Sequence, residues 1–334
     1  MKKHFKSILK FLIPLILGLG LLRYLYKGID IKEIKEVLDS GVDWKWILIS
    51  LFFAIISHIL RALRWRLQLL PIGVDLPRSI LVNSIFGNYA VNLLFPRLGE
   101  VWRCNYISKQ SKSTFSTILG SLVSERLFDI LSVLIILVTA FIIHRHFFLG
   151  FLDEHLFSKE MTYLMPWLGC LLVVFFVILI LLYICRERIL NSSLALKVKS
   201  VLGNIVEGVM TIKMMDKKTL YLFYTIGIWF FYFMNFYVCL WAFNFTSHIG
   251  VSGGLILFAM GSLAVIAPVQ GGTGPWHFMI ITTLVYLGVA SSSAAIFALV
   301  VHAIQQLFVL ILGLYAFISI NLCKKIFNKT SLSV

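Results

Sequence analysis

Apolar segments alternate with short polar segments along the whole chain. Several of the apolar segments reach the length of about 20 residues that a helix needs to cross a bilayer. The segments predicted to span are 11–22, 44–63, 114–143, 161–185, 219–243 and 293–323. The pattern therefore predicts an all-α polytopic membrane protein with about six spanning helices.

Two further apolar segments, 79–107 and 255–288, are interrupted by helix-breaking and polar residues. Irregular backbone at membrane depth is tolerated only where protein shelters it or where it lines a cavity. Both segments are therefore predicted to be re-entrant hairpins of broken helices. The first carries Asn88, Asn92, Pro96, Arg97, Gly99, Glu100 and Arg103, and the second carries Pro268, Gly271, Gly272, Gly274 and Pro275.

Lysine and arginine concentrate in segments that are predicted to lie on one side of the membrane. They flank the first hairpin, they fill the connection 186–218, and they end the second span as Arg61, Arg64 and Arg66. The positive-inside rule assigns that side, and both chain termini, to the cytoplasm. On this topology the first hairpin opens from the inside and the second from the outside.

The chain is predicted to be one membrane domain, 1–334, built from two similar halves. Residues 1–143 and 161–323 each contain two spans, a broken hairpin and a long helix with polar residues in its body. Because the two hairpins open on opposite sides, the arrangement is the inverted repeat of many transporters. In such repeats, discontinuous helices meet near the midplane and form the substrate site.

Composition narrows the classes of function. Hydrophobic residues make up 60% of the 334 residues and the mean hydropathy is +0.93, which excludes an ordinary soluble domain. The formal net charge of +15 lies in the loops, where anionic lipid headgroups explain it better than nucleic acid. The five cysteines lack the spacing of a zinc site, so neither a metal, a cofactor nor a disulfide framework is predicted.

The long helix of each half carries polar residues three and four positions apart, a spacing that places them on one helix face. Polar groups at membrane depth face a protein interior and are functional candidates. A polar network and a proton relay are both compatible with these side chains. In the first half, the structural alternative is that the polar residues of the long helix neutralise the hairpin arginines and lock this helix to the hairpin. The polar residues are Glu125, Arg126 and Asp129 in the first half, and His302, Gln305 and Gln306 in the second, with His277 beside the second glycine stretch.

Three motifs in this order resemble the lysylphosphatidylglycerol synthase transmembrane region, also called the flippase-like domain family. They are Asn92-x3-Pro96-Arg97-x-Gly99-Glu100-x2-Arg103, Glu125-Arg126-x2-Asp129 and Pro268-x2-Gly271-Gly272-x-Gly274. The resemblance covers nearly the whole chain. It implies a membrane module that, in the bifunctional synthases, moves an aminoacylated lipid between leaflets.

The chain departs from the family pattern in two places. The synthases carry a soluble aminoacyl-transferase domain after the membrane part, whereas this chain ends at Val334, so we expect that it does not make such a lipid itself. Many relatives place an acidic residue shortly after the glycines, where this chain has Trp276 and His277. The second departure affects which lipid headgroup the second hairpin would prefer and the ionic chemistry of that hairpin.

The first hairpin is the predicted binding site for a lipid phosphate. Arginine offers paired donors that match phosphate oxygens. The alternative is an internal salt-bridge network that only holds the hairpin, and the glycines have the corresponding alternative of a tight turn. The predicted binding residues are Asn88, Asn92, Arg97, Glu100, Arg103, Gly271, Gly272 and Gly274.

These observations favour a lipid translocator in the bacterial cytoplasmic (inner) membrane, acting on an anionic or isoprenoid phosphate lipid. One alternative is an intramembrane enzyme or glycolipid-transferase component in which Glu100, Glu125 or Asp129 is the base. Another is a non-transporting partner of a separate lipid-modifying enzyme. A translocator changes the leaflet distribution of a lipid without chemical change, which distinguishes it from the enzyme.

Overall fold

The computed structural model of the protein describes four continuous ranges. These are residues 19–27, 31–155, 210–265 and 269–330, with the isolated positions 16, 203, 206 and 267. The predicted span 161–185 lies outside them, as do most of the span 11–22 and most of the connection 186–218. Every regular element in the described ranges is a helix, so the all-α prediction is confirmed there.

Ten α-helices and three short 3-10 turns form the described structure. The α-helices are α1 (Ile31–Gly41), α2 (Trp44–Leu69), α3 (Arg78–Leu94), α4 (Leu98–Ser108), α5 (Phe115–Ile143), α6 (Arg145–His155), α7 (Lys218–Tyr237), α8 (Val251–Ala264), α9 (Pro275–Tyr286) and α10 (Ser291–Thr330). The 3-10 turns are Leu70–Ile72, Val238–Ala242 and Gln270–Gly272.

Four stretches are long and apolar enough to cross a membrane, and they match four of the predicted spans. They are Trp44–Ile72, Phe115–Ile143, Lys218–Ala242 and Ser291–Leu322. The prediction of a multi-pass membrane protein is therefore confirmed. Helix α2 continues beyond its predicted end at residue 63, because Trp65, Gln68 and Leu69 in its last turns are buried against neighbouring helices.

The first broken segment consists of α3, a three-residue break and α4. Phe95 is extended, as expected for a residue before proline, and Arg97 adopts a positive φ of 63°. The side chain of Asn92 bridges the break, because its Oδ1 accepts a hydrogen bond of 2.8 Å from the Gly99 amide. The helix break is confirmed at the predicted place, and its side of entry stays a prediction.

The second broken segment consists of α8, an irregular stretch and α9. Gly271, Gly272 and Gly274 have φ angles of 57°, 75° and 94°, a region that other residues rarely adopt. Pro275 then begins α9, where its missing amide hydrogen costs nothing. The glycines are therefore needed for the backbone path, whatever else they do.

The long helix of each half packs against the first helix of the other half's broken segment. Helix α10 lies against α3, and α5 lies against α8. In both halves the second helix of the broken segment packs on the long helix that follows it, α4 on α5 and α9 on α10. Helix α2 packs along α7. Such reciprocal packing is what an inverted repeat requires, and the division into halves stays a prediction.

Helix α3 and helix α4 approach so closely at Gly99 that no side chain fits there. A Cβ atom at this position would collide with the backbone oxygen of Asn88 and would lie 2.8 Å from Asn92 Oδ1. We expect Gly99→Ala to lower the free energy of unfolding by about 1–3 kcal/mol, the usual cost of overpacking. Thermal unfolding in detergent measures this change.

The matched control for this prediction is Gly150→Ala. Gly150 lies in helix α6, and a Cβ atom there would meet nothing within 4 Å. Alanine in an exposed helix position gains up to about 1 kcal/mol over glycine. Equal melting temperatures for the two variants would show that α3 and α4 are not in close contact at Gly99.

Candidate functional site

Helices α2, α4 and α5 bring seven charged side chains into one group of ion pairs, which we call the charge cluster. Its residues are Arg61, Arg64, Glu100, Arg103, Glu125, Arg126 and Asp129. Charged groups taken out of water need close partners of opposite sign. The contacts among these seven side chains therefore decide how the three helices meet.

Glu125 is fully buried at the centre of the charge cluster. Its Oε1 accepts a hydrogen bond of 2.7 Å from Arg61 Nη1, on α2. Its Oε2 accepts one of 2.7 Å from Arg103 Nη2, on α4. Each carboxylate oxygen on α5 thus holds a different helix.

Asp129 lies one turn after Glu125 on α5 and also binds arginines of α2. Its Oδ2 is 2.9 Å from Arg61 Nη1, and its Oδ1 is 2.7 Å from Arg64 Nη2. Arg61 therefore bridges Glu125 and Asp129, which confirms the prediction that these acids share one helix face. The neighbouring Arg126 approaches both carboxylates, at 3.2 Å and 3.4 Å.

Aromatic side chains complete the surroundings of the buried arginines. The guanidinium of Arg103 lies 4.0 Å from the centre of the Trp65 ring, a cation–π contact. Arg61 Nε donates to the hydroxyl of Tyr232, at 3.1 Å, and that hydroxyl lies 2.9 Å from the hydroxyl of Tyr89. Helices α3 and α7 are in this way joined to the charge cluster.

The charge cluster has an accessible edge and a positive excess. At that edge 37% of the Arg126 side chain and 28% of the Glu100 side chain are exposed, and the two are 3.4 Å apart. The described cluster holds four arginines against three acids, an excess of one positive charge. The exposed Arg97 directly precedes the first residue of α4 and lies three residues before Glu100. It adds a further positive charge at this end of α4.

Some donors of the buried arginines make no hydrogen bond within the described part of the chain. They are Nε of Arg64, and Nε and Nη1 of Arg103. A buried donor without a partner costs free energy. For Arg103 this cost is partly offset by the cation–π contact with Trp65.

The sequence prediction identified the acids but not two of their partners. Arg61 and Arg64 were used only as markers of the cytoplasmic end of a span, and the structure shows that both are buried and paired with acids of α5. The side of the membrane on which that end lies stays a prediction. Arg66 pairs at the surface with Asp75, at 2.6 Å. The available signal was the spacing of Arg61 and Arg64, which places both on one face of the helix.

The structure distinguishes between the two structural alternatives for the first hairpin. Arg103 does not pair with Glu100 of its own helix, but pairs with Glu125 on α5, as in the alternative in which the acids of the long helix neutralise the hairpin arginines. Glu100 instead pairs with Arg126. The polar contacts therefore join α4 to α5 and do more than hold the hairpin to itself.

A second group, which we call the histidine cluster, surrounds the second broken segment. The carbonyl oxygen of Gly271 accepts a hydrogen bond of 3.0 Å from Gln306 Nε2 and lies 2.9 Å from His302 Nε2. The ring centres of His277 and His302 are 4.5 Å apart, and Trp276 packs on His302 at 5.2 Å. These contacts fasten the irregular stretch to α10.

Gln305 faces away from the histidine cluster and joins three helices. Its Nε2 donates to Asn235 Oδ1 of α7 at 2.7 Å and lies 3.4 Å from the Ser50 hydroxyl of α2. The predicted polar face of α10 is therefore divided. His302 and Gln306 hold the broken segment, and Gln305 belongs to a neutral layer between α2, α7 and α10.

The remaining predicted binding residues have mainly local partners. The amides of Gly272 and Gly274 donate to Val269 O and His277 Nδ1, each at 3.3 Å. Asn92 caps Gly99, as described above, and Asn88 is buried with no hydrogen bond to its Oδ1 in the described structure. The predicted site residues therefore do not form one site: some belong to the charge cluster, some to the histidine cluster and some to neither, and phosphate binding by the glycines stays a prediction.

Comparison with known proteins gives one match. The family described as Lysylphosphatidylglycerol synthase TM region matches residues 11–313. No curated protein and no solved structure matches the chain. The matched range contains both clusters and both broken segments.

Removal of the Glu125 carboxylate tests how much the charge cluster contributes to the free energy of unfolding. We expect Glu125→Gln to lower the free energy of unfolding by about 3–5 kcal/mol, because it leaves buried arginines without a counter-charge. The surface pair Arg66–Asp75 supplies the control, since Asp75→Asn removes an exposed carboxylate and costs less than about 1 kcal/mol. Thermal unfolding in detergent compares the two, and equally small losses would contradict the assignment.

Proposed function

Because the chain belongs to the lysylphosphatidylglycerol synthase TM region family, we propose that it moves a phosphate-bearing lipid between the leaflets of a bilayer. The protein is a multi-pass membrane protein. The proposed substrate is an anionic or isoprenoid phosphate lipid, and the proposed location is the bacterial inner membrane.

The observation that carries the proposal is the positive excess of the charge cluster inside a helical membrane protein. A structural network needs only balanced charge, yet four arginines face three acids. An additional anion would restore the balance. A lipid phosphate is the anion that a membrane supplies in quantity, and it reaches membrane depth with its tails still in the hydrocarbon.

The chemistry of the donors suits a phosphate. Guanidinium groups bind phosphate oxygens through paired, charge-assisted hydrogen bonds. Arg126 has 37% of its side chain exposed at the edge where a headgroup would arrive. Electrostatic attraction is strong in such a site, since the surrounding dielectric constant is low.

The two broken segments support a path through the protein. Transporters with inverted repeats place discontinuous helices from each half at a common site and expose that site to each side in turn. Here α3–α4 and α8–α9 are both interrupted, and each first helix packs on the long helix of the other half. Opposite sides of entry, and cytoplasmic termini, are part of the proposal.

Intramembrane catalysis is the less favoured function. A general base needs a carboxylate that is poised to accept a proton. Glu125 and Asp129 instead accept short hydrogen bonds from two arginines each. Their surroundings suit permanent negative charge, which serves positioning better than proton transfer.

Reconstitution in vesicles tests the proposal directly. The purified protein is placed in vesicles that contain labelled phosphatidylglycerol, phosphatidylcholine or undecaprenyl phosphate, and the accessible fraction of each label is followed over time. We expect phosphatidylglycerol or undecaprenyl phosphate to move faster than in empty vesicles and faster than phosphatidylcholine, whereas movement of phosphatidylcholine alone would contradict the proposed substrate. No movement of any of the three with folded protein would refute the proposed function.

Two variants connect the movement to the edge of the charge cluster. We expect Arg97→Gln and Arg126→Gln each to slow it by about tenfold or more, because a hydrogen bond to a charged group contributes about 1.5–3 kcal/mol. Lys109→Gln is the control, since Lys109 is exposed at the opposite end of α4. Unchanged rates in the two arginine variants would show that the phosphate does not pass this edge.

A further inference from the structure

The pair of Glu100 and Arg126 differs from the other ion pairs between helices of the charge cluster. Arg126 Nε and Glu100 Oε1 are 3.4 Å apart, and this Nε makes no hydrogen bond in the described structure. Arg103 Nη2 and Glu125 Oε2, by contrast, are 2.7 Å apart and hydrogen-bonded. Glu100 is therefore a loosely held acid at the edge of a tightly paired group.

Water reaches both partners of the Glu100–Arg126 pair. Both side chains are partly exposed, whereas Arg103 and Glu125 are fully buried. Exposed ion pairs contribute little to stability, because water and salt compete for both charges. Buried pairs are costly to break, since the charge that remains has no partner. Of the three acids in the charge cluster, Glu100 is thus the one that leaves its arginine at the least cost.

Helix α4 stays attached to α5 when Glu100 leaves Arg126. The buried pair of Arg103 and Glu125 joins the same two helices. Arg126 also keeps its place, because its Nη2 donates a hydrogen bond of 3.2 Å to Glu125 of its own helix. Arg126 can therefore exchange Glu100 for another anion without any change in how the helices pack.

A phosphate group suits the place of the Glu100 carboxylate. Guanidinium groups bind phosphate through paired hydrogen bonds, and Arg126 makes none with Glu100. Among the described residues, Glu100 is the only acid of another helix that pairs with Arg126. The displaced carboxylate remains in the first turn of α4, where the helix dipole favours a negative charge.

We propose that Glu100 is the displaceable counter-ion of Arg126 and that the phosphate group of a ligand takes its place, an inference that rests on the proposed function. Without a ligand, the Glu100 carboxylate pairs with the arginine. When the phosphate binds, the first turn of α4 loses its contact with Arg126 while the buried pair holds the helix. An anion binds only if it pairs with Arg126 better than Glu100 does, so Glu100 makes the site selective.

A thermal-shift titration tests the displacement, because a ligand that binds the folded state raises the melting temperature. The full-length protein in detergent is titrated with dioctanoylphosphatidylglycerol, and the concentration that gives half of the maximal rise is measured. We expect Glu100→Gln to lower this concentration by about twofold to fivefold, since an exposed ion pair no longer competes. A direct contact of Glu100 with the ligand would raise the concentration instead. That result, or no change, would overturn the proposal.

The matched control is Asp75→Asn. Asp75 pairs with Arg66 at 2.6 Å, outside the charge cluster, and either substitution removes one partly exposed carboxylate from an arginine. We expect Asp75→Asn to leave the half-maximal concentration unchanged. An equal gain in both variants would overturn the proposal, because net charge alone would then explain it.

A double variant tests whether the gain depends on Arg126. We expect Glu100→Gln to give no gain in an Arg126→Gln background, since the competing pair is already absent there. A gain of the same size in that background would overturn the proposal. The melting temperatures without ligand show that each variant is folded.

A soluble phosphate distinguishes the source of the ligand. The same titration with glycerol phosphate, which has no hydrocarbon chains, shows whether the phosphate must belong to a lipid. A gain with glycerol phosphate and none with phosphatidylglycerol would retain the displacement and refute the proposed lipid substrate. In the leaflet assay, tighter binding without movement of any lipid would retain the displacement and refute transport, whereas movement without tighter binding would refute the displacement alone.

Discussion

The carboxylate of Glu125 is the contact on which the described fold depends most. A buried charge is tolerated only with close partners, and the partners of Glu125 come from two other helices, Arg61 on α2 and Arg103 on α4. Apolar packing between membrane-spanning helices is tolerant of rotation, because most side chains are alike. The ion pairs remove that freedom and fix the register of α2, α4 and α5 together.

The two halves hold their broken segments in place with different kinds of contact. The first fastens its broken segment to its long helix by ion pairs, Arg103 to Glu125 and Glu100 to Arg126. The second fastens its broken segment to α10 through neutral groups, mainly the Gly271 carbonyl with Gln306 and His302. In the described structure the buried ion pairs therefore belong to the first half, and the second half uses neutral hydrogen bonds.

Local chemistry made much of this structure predictable. Pro96 and the glycines from Gly271 to Gly274 restrict the backbone wherever they occur, so the two helix breaks followed from the sequence. The spacing of Glu125 and Asp129 likewise fixed their common face. Partners across the bundle were not predictable in this way, because helical periodicity shows which face is polar and not which helix opposes it. The pairing of Arg61 and Arg64 was missed for a related reason, since the positive-inside rule concerns the side of the membrane that a basic residue marks and not its acidic partner.

The backbone at Arg97 adopts a conformation that its residue type disfavours. Among the described residues other than glycine it alone has a positive φ, a conformation that costs about 1 kcal/mol or more and that glycine or asparagine adopts more easily. A substitution by glycine would therefore ease the turn between α3 and α4 but remove the guanidinium. If the proposed phosphate contact is made by Arg97, such a variant gains thermal stability at the expense of lipid movement.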